Sequence, residues 1–219
     1  MKRPNWSSRS AVPGAGLLLL LLATFACGSH NRVSRVLVPP RLDLRPLGRL
    51  GLVTFTVENA KGSLHEYATE RFAEEVLAAQ PGMEVLELGS ADSLLQRVGE
   101  KELGIAAAQE LGKQRDIGAV FAGHLKVSNP NPSGGIGGIV SARAEATVRV
   151  DLSVRLLSAR SGATLWRSSA WATEKVGQVA LVGGQINFAA KDPKAAYGRL
   201  VSRVVGLAAQ DMWSTWQNR

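Results

Sequence analysis

The sequence predicts a domain of the α/β (α+β) class: a mixed β-sheet packed with helices, a long antiparallel hairpin and a C-terminal amphipathic helix. Three observations predict it. Along residues 143–156, Ala144, Ala146, Val148, Val150, Leu152, Val154 and Leu156 are apolar, while Arg143, Glu145, Thr147, Arg149, Asp151, Ser153 and Arg155 are polar. Such alternation marks a strand with one face on a core and the other in water. Helical stretches interleave with the earlier strands, which indicates helices packed on a mixed sheet. The end of the chain carries an apolar stripe of helical period.

The elements follow in order. Leu50 to Val57 (LGLVTFTV) is apolar and β-branched and reads as a buried strand. Asn59 to Gly62 is a turn, after which Ser63 and Glu66 have the spacing of a capping box. The helix over 63–79 places Leu64, Ala68, Phe72, Ala73, Val76 and Leu77 on one stripe and ends at Pro81-Gly82. Met83 to Leu88 is a second strand. Ser90 opens a helical stretch containing Leu94, Leu95 and Val98, and residues 104–114 form an Ala-rich helix with Leu111 inward. Ile117 to Val127 is a third strand, apolar enough to be central.

Proline and glycine in Ser128 to Gly138 (SNPNPSGGIGG) predict a loop. Within it Asn129, Asn131, Gly134, Gly135 and Gly137 are candidates for a contact loop. After the alternating strand, Ser161-Gly162 turns the chain and Ala163 to Ala172 returns as its partner. Residues 176–191 read either as a glycine-interrupted strand or as a mobile loop. Asp192-Pro193 is a helix start, with Asp as N-cap and Pro in the first turn. The last helix is expected to bury Ala196, Tyr197, Leu200, Val204, Leu207, Ala208 and Met212, with Trp213 and Trp216 extending that side.

Ahead of this domain the chain has the layout of a secretory signal. Lys2, Arg3 and Arg9 are basic, Ala11 to Ala26 is uncharged and contains the run Leu17 to Leu22, and small residues precede Cys27. The apolar stretch is shorter than the roughly 20 residues of a spanning helix. Cys27 is the only cysteine in the chain, so it forms no intrachain disulfide. Thr24-Phe25-Ala26-Cys27 resembles the lipobox of bacterial lipoproteins, in which the cysteine thiol carries diacylglycerol. Thr24 stands where that pattern usually has Leu. The resemblance implies a signal peptide over 1–26, a lipidated Cys27 opening a basic tether over 27–48, and one domain over 49–219.

The net charge of +8 is partly local to that tether. Arg32, Arg35, Arg41 and Arg45 stand there against only Asp43, and Pro39, Pro40 and Pro46 favour extended chain. These four arginines are candidate contacts to membrane phosphates; a solvated basic linker is the equal alternative. Nucleic acid is a poor account of the basicity, since the signal directs the chain out of the cytoplasm.

From Leu50 onward the chain resembles the periplasmic lipoprotein domain shared by the curli-secretion lipoprotein CsgG, the N-terminal domain of TolB and the lipoprotein activators of penicillin-binding proteins. The residues carrying the resemblance are Arg49 to Phe55 as an opening strand, Leu111-Gly112-Lys113 before Ile117 to Gly123, and the hairpin Leu156 to Trp166. Ser158 replaces the Asp usual at the turn. The resemblance implies fold more than function, because these relatives do different envelope jobs.

No GxSxG, HExxH or CxxC occurs, and His30, His65 and His124 have no metal spacing. His124 reads as a core or edge histidine. The glycines at 134–138 lack the lysine and following helix of a phosphate-cradling loop. The expectation is therefore no enzyme, no cofactor and no metal. It is a binding or assembly module held by its lipid at the periplasmic face of the outer membrane, with envelope proteins or a second copy of itself as partners. The alternative is an oligomeric channel protomer of the curli type, which would need membrane strands of about 9–11 alternating residues.

Overall fold

A computed structural model describes residues 34–60, 63–129, 131–133, 144–182, 185–187 and 193–218. Cys27, Arg32, Gly134, Gly135 and Gly137 lie outside them. The elements are β1 (Arg35–Val38), β2 (Leu50–Thr54), β3 (Thr56–Glu58), α1 (Leu64–Ala79), β4 (Val85–Ser90), α2 (Ala91–Val98), α3 (Ile105–Arg115), β5 (Ala119–Val127), β6 (Asn131–Ser133), β7 (Ala144–Ser158), β8 (Thr164–Val182), β9 (Gln185–Asn187), α4 (Pro193–Ala208) and β10 (Thr215–Asn218). The chain falls into two units. One comprises, among the described residues, 34–36 and 216–218, which belong to the two-stranded sheet of β1 and β10. The other runs from Leu37 to Thr215 and contains the main sheet.

That sheet is mixed, as expected, in the order β4-β2-β5-β7-β8-β9, with β3 beside β5 and β6 beside β7. β2 runs parallel to β4 and β5, and β5, β7 and β8 are successively antiparallel. The parallel part is connected through α1, α2 and α3, and the antiparallel part through the tight turn at Gly162. β2 ends at Thr54, and the sequence-predicted single strand over 50–57 is two strands split at Phe55. The Phe55 N–H turns out of the ladder and donates to Thr69 Oγ1 of α1 at 2.8 Å, so the break leaves no buried donor unpaired.

The underside of the sheet is covered by α1 and α4. Val148, Val150, Leu152, Val154 and Leu156, the apolar set of the alternating strand, are all buried there with Phe72, Val76, Leu200, Val201 and Val204. Phe72 sits between Phe55 and Phe121, with centroids at 5.3 and 5.1 Å, in the tilted and edge-on arrangements aromatic rings favour. Gly123 makes room for this group: a Cβ there would lie 2.5 Å from the Phe55 ring. On the upper face, α2 and α3 cover only one end, where Leu94, Leu103, Ala108 and Leu111 pack on Val53, Val120 and Leu157.

Several expectations are corrected. Ser63 makes no capping bond with its side chain, so the capping box with Glu66 is not formed. Leu77 and Leu207 are exposed rather than buried. In α4 the buried stripe runs through Tyr197, Leu200, Val201, Val204, Val205 and Ala208, which turns Leu207 outward. The helix stops at Ala208, and after the 3-10 turn Gln210–Met212 the chain becomes β10. Trp213 and Trp216 therefore do not extend a helical stripe, and Trp216 is 67% exposed. The loop expected over 128–138 holds β6, and within 176–191 the strand reading prevails for the described residues: β8 continues to Val182 and pairs with β9.

The stretch just before Leu50 is also more than a tether. Leu44 is fully buried in the main core. Gln80, at the end of α1, accepts from the Leu44 N–H at 2.7 Å and donates to the carbonyls of Leu42 at 2.5 Å and Met212 at 3.3 Å. One buried amide thus ties three chain segments together. The 3-10 turn Arg45–Leu47 passes so close over Gly118 that any Cβ there would overlap the Leu47 carbonyl.

Candidate functional site

The register of the antiparallel strands sets the chemistry of the upper face. Because β7 and β8 pair about the turn, residues equidistant from Ser161 stand opposite one another. Three rows result across β5, β7 and β8: Ala122, Arg155 and Arg167; His124, Ser153 and Ser169; Lys126, Asp151 and Trp171. β3 lies on the other side of β5, with Thr56 beside His124 and Glu58 beside Lys126.

Where the cover of α2 and α3 ends, the first two rows floor a cleft of about 420 Å³. That volume lies in the range of small-molecule sites. Thr56, His124, Ser153, Arg155, Arg167 and Ser169 present polar groups to it, and Val53, Ala91 and Leu103 supply apolar wall. Among the described residues its lining contains no Asp or Glu. Arg155 is braced by a 2.6 Å bond from its guanidinium to the Leu103 carbonyl, so the α2–α3 connection sets its direction. Arg167 is exposed and makes no ion pair among the described residues.

On the same face outside the cleft, Lys126 and Arg149 are both paired. Lys126 Nζ lies 2.9 Å from Glu58, whose other oxygen is 3.5 Å from His124 Nε2. The hydrogen bond from Lys126 is the main cause holding the Glu58 carboxyl below its ordinary range, and the same bond raises Lys126. His124 Nδ1 is 2.8 Å from Thr56 Oγ1. Arg149 forks onto Asp151 at 2.6–3.0 Å and stacks at 4.5 Å over Trp171, which stays half exposed.

The residues singled out from sequence lie elsewhere. Arg45 is hydrogen-bonded to Asp43 through two nitrogens, and that bond pulls the Asp43 carboxyl down. Arg41 sits 3.6 Å from Asp211, and Arg35 opens β1. A wider depression of about 650 Å³ includes Arg45 and Arg49, but Arg49 is bound to Glu84 at 2.8 Å, so its arginines are already matched. Asn129 is exposed after β5, and Asn131 opens β6 opposite Thr147. Thr147 is about 20 Å along β7 from Ser153 at the strand rise of ~3.3 Å per residue, so this loop and the cleft are separate surfaces. The sequence places Ser153 and Arg155 on the watered face, suggests a core or edge position for His124, which is exposed here, and by itself singles out neither Arg167 nor Ser169. The Ser161-Gly162 turn was the signal that pairs Arg155 with Arg167. Among the described residues no cluster of His, Cys, Asp and Glu is placed to hold a metal.

No family model and no curated protein matches the sequence. Solved structures give partial likenesses, and several of those proteins are bacterial lipoproteins. A PelC dodecamer from Paraburkholderia phytofirmans is 12% identical at TM-score 0.44, over 82% of this chain and 98% of that chain. Lipoprotein GNA1162 from Neisseria meningitidis is 19% identical at 0.39, over 74% and 99%. The C-terminal domain of LpoB from Salmonella enterica is 15% identical at 0.35, over 57% and 83%. At these scores the likenesses decide neither fold nor function for this chain, which rest on its own geometry.

Proposed function

We propose that the protein is a lipoprotein of the bacterial cell envelope, anchored at the outer membrane through Cys27 and acting in the periplasm by binding or assembly rather than catalysis. The observation that carries this reading is the lone cysteine at the end of a basic, then apolar, then small-residue segment. Acyl chains on Cys27 would hold the protein firmly, at roughly 0.8 kcal/mol per buried CH₂. The folded body supports the binding half of the reading, since its upper face keeps an open, polar-floored cleft.

A channel protomer of the curli type is the second reading. It draws support from β8 continuing to Val182 and pairing with β9. Against it, Val148 to Leu156 turn their apolar side to α1 and α4 rather than to lipid. Membrane fractionation with intact-mass measurement tests the anchor. The wild-type chain should begin at an acylated Cys27 and stay with the membrane. Cys27→Ser should be left uncut at this site or released, and normal processing with full retention of that variant would overturn the reading. Mass measurement after gentle detergent extraction separates a monomer or small oligomer from a large ring.

A further inference from the structure

We propose that the cleft on the upper face of the β7–β8 hairpin is a binding site for a phosphate group carried on a small molecule or lipid headgroup. Arg155 and Arg167 stand directly opposite each other across the two strands. Like charges in that relation destabilise a sheet. On the same face, Lys126 is paired with Glu58 and Arg149 with Asp151, yet neither Arg155 nor Arg167 has a carboxylate partner among the described residues. Among the described residues the cleft lining contains no Asp or Glu that could take that place.

The two arginines also share one concavity, and the 2.6 Å bond to the Leu103 carbonyl holds Arg155 against its wall. The planar donors of arginine suit phosphate oxygens, which accept them in pairs. The next row adds the hydroxyls of Ser153 and Ser169 and the imidazole of His124. A bound phosphate would neutralise the facing arginines and be reached by donors from three strands. This proposal names the chemistry of the module proposed above and rests on that reading only for where such a phosphate would be met.

The test is thermal unfolding of the detergent-solubilised mature chain at matched ionic strength. Inorganic phosphate, glycerol 3-phosphate and phosphatidylglycerol vesicles are added in turn, with chloride as reference. Phosphate raises stability generally by exclusion from protein surfaces, so the comparison with variants decides. Specific binding gives a saturable rise in Tm. Arg167→Gln should require at least tenfold more of the same probe for an equal rise, and Arg203→Gln, exposed on α4 beneath the sheet, should behave as wild type. Arg155→Gln should act likewise; if losing the bond to Leu103 impairs its folding, Arg167→Gln, which breaks no ion pair, still decides. A response to the soluble probes points to a free phosphorylated compound, and a response confined to vesicles points to a headgroup; either supports the proposal. No response to any probe, or an equal rise in wild type and Arg167→Gln, overturns it. That failure would leave the outcome of the Cys27→Ser fractionation untouched, so the two readings fail separately.

Discussion

The underside and the upper face of the β7–β8 hairpin share one backbone and differ in what covers them. Below, Val148, Val150, Leu152, Val154 and Leu156 are sealed under α1 and α4. Above, Arg149, Asp151, Ser153 and Arg155 meet solvent, and two arginines face each other without a compensating acid among the described residues. The first face repays its ordering by removing apolar surface from water, at about 1.5–3 kcal/mol per large side chain. Beyond the end covered by α2 and α3, the second is left open and keeps two arginines opposite each other. A face that keeps an unfavourable charge pair in a concave site is free to serve a binding partner.

Substitutions sharpen this contrast in descending order of effect. Phe72→Ala removes the ring that bridges Phe55 and Phe121 beneath the sheet, and should cost about 3–5 kcal/mol in denaturant unfolding. Gln80→Ala strips the partner from the Leu44 N–H and the Leu42 carbonyl, and should cost about 1–3 kcal/mol by the same measurement. An unchanged midpoint would show that the Leu42–Leu44 segment is not tied into the body as described.

On the upper face the expected effects are small or reversed. Arg167→Gln relieves the cross-strand repulsion with Arg155, so its stability without added anions should stay within about 0.5 kcal/mol of wild type or exceed it. A loss comparable to Phe72→Ala would erase the distinction between the faces. The smallest effect concerns Glu58. Its carboxyl is held below the ordinary range by Lys126, so the pair stabilises the fold above the unfolded-state pKa and loses that contribution as pH falls through the lower folded value. Wild type and Glu58→Gln should therefore differ slightly near neutral pH and converge in acid. A gap that widens in acid would contradict the assignment.

How much of this was legible in the sequence follows from which interactions are local. The strand over 143–156 and the stripe through Leu64, Ala68 and Phe72 were readable because periodicity reports burial directly. The clamp at Gln80 was not, since it joins residues separated by 36, 38 and 132 positions and leaves no periodic trace. The exposure of Trp216 was misread because an apolar residue after a helix looks like its continuation, whereas a change to strand is decided by pairing with β1. The cleft was half legible. Its residues were placed on the polar face, but their convergence needed the register about Ser161 and the position of Leu103, both tertiary facts.

Leu152 and Ser153 are adjacent on β7 and point to opposite faces, so comparing Leu152→Ala with Ser153→Ala tests the central claim most directly. Both variants would be unfolded in denaturant and titrated with inorganic phosphate. Leu152→Ala should lose about 2–5 kcal/mol of stability while the variant that remains folded binds phosphate as wild type does. Ser153→Ala should keep its stability within about 0.5 kcal/mol and bind phosphate more weakly. If Ser153→Ala instead unfolds as readily as Leu152→Ala, or binds phosphate unchanged, the division of the sheet into a folding face and a binding face is contradicted.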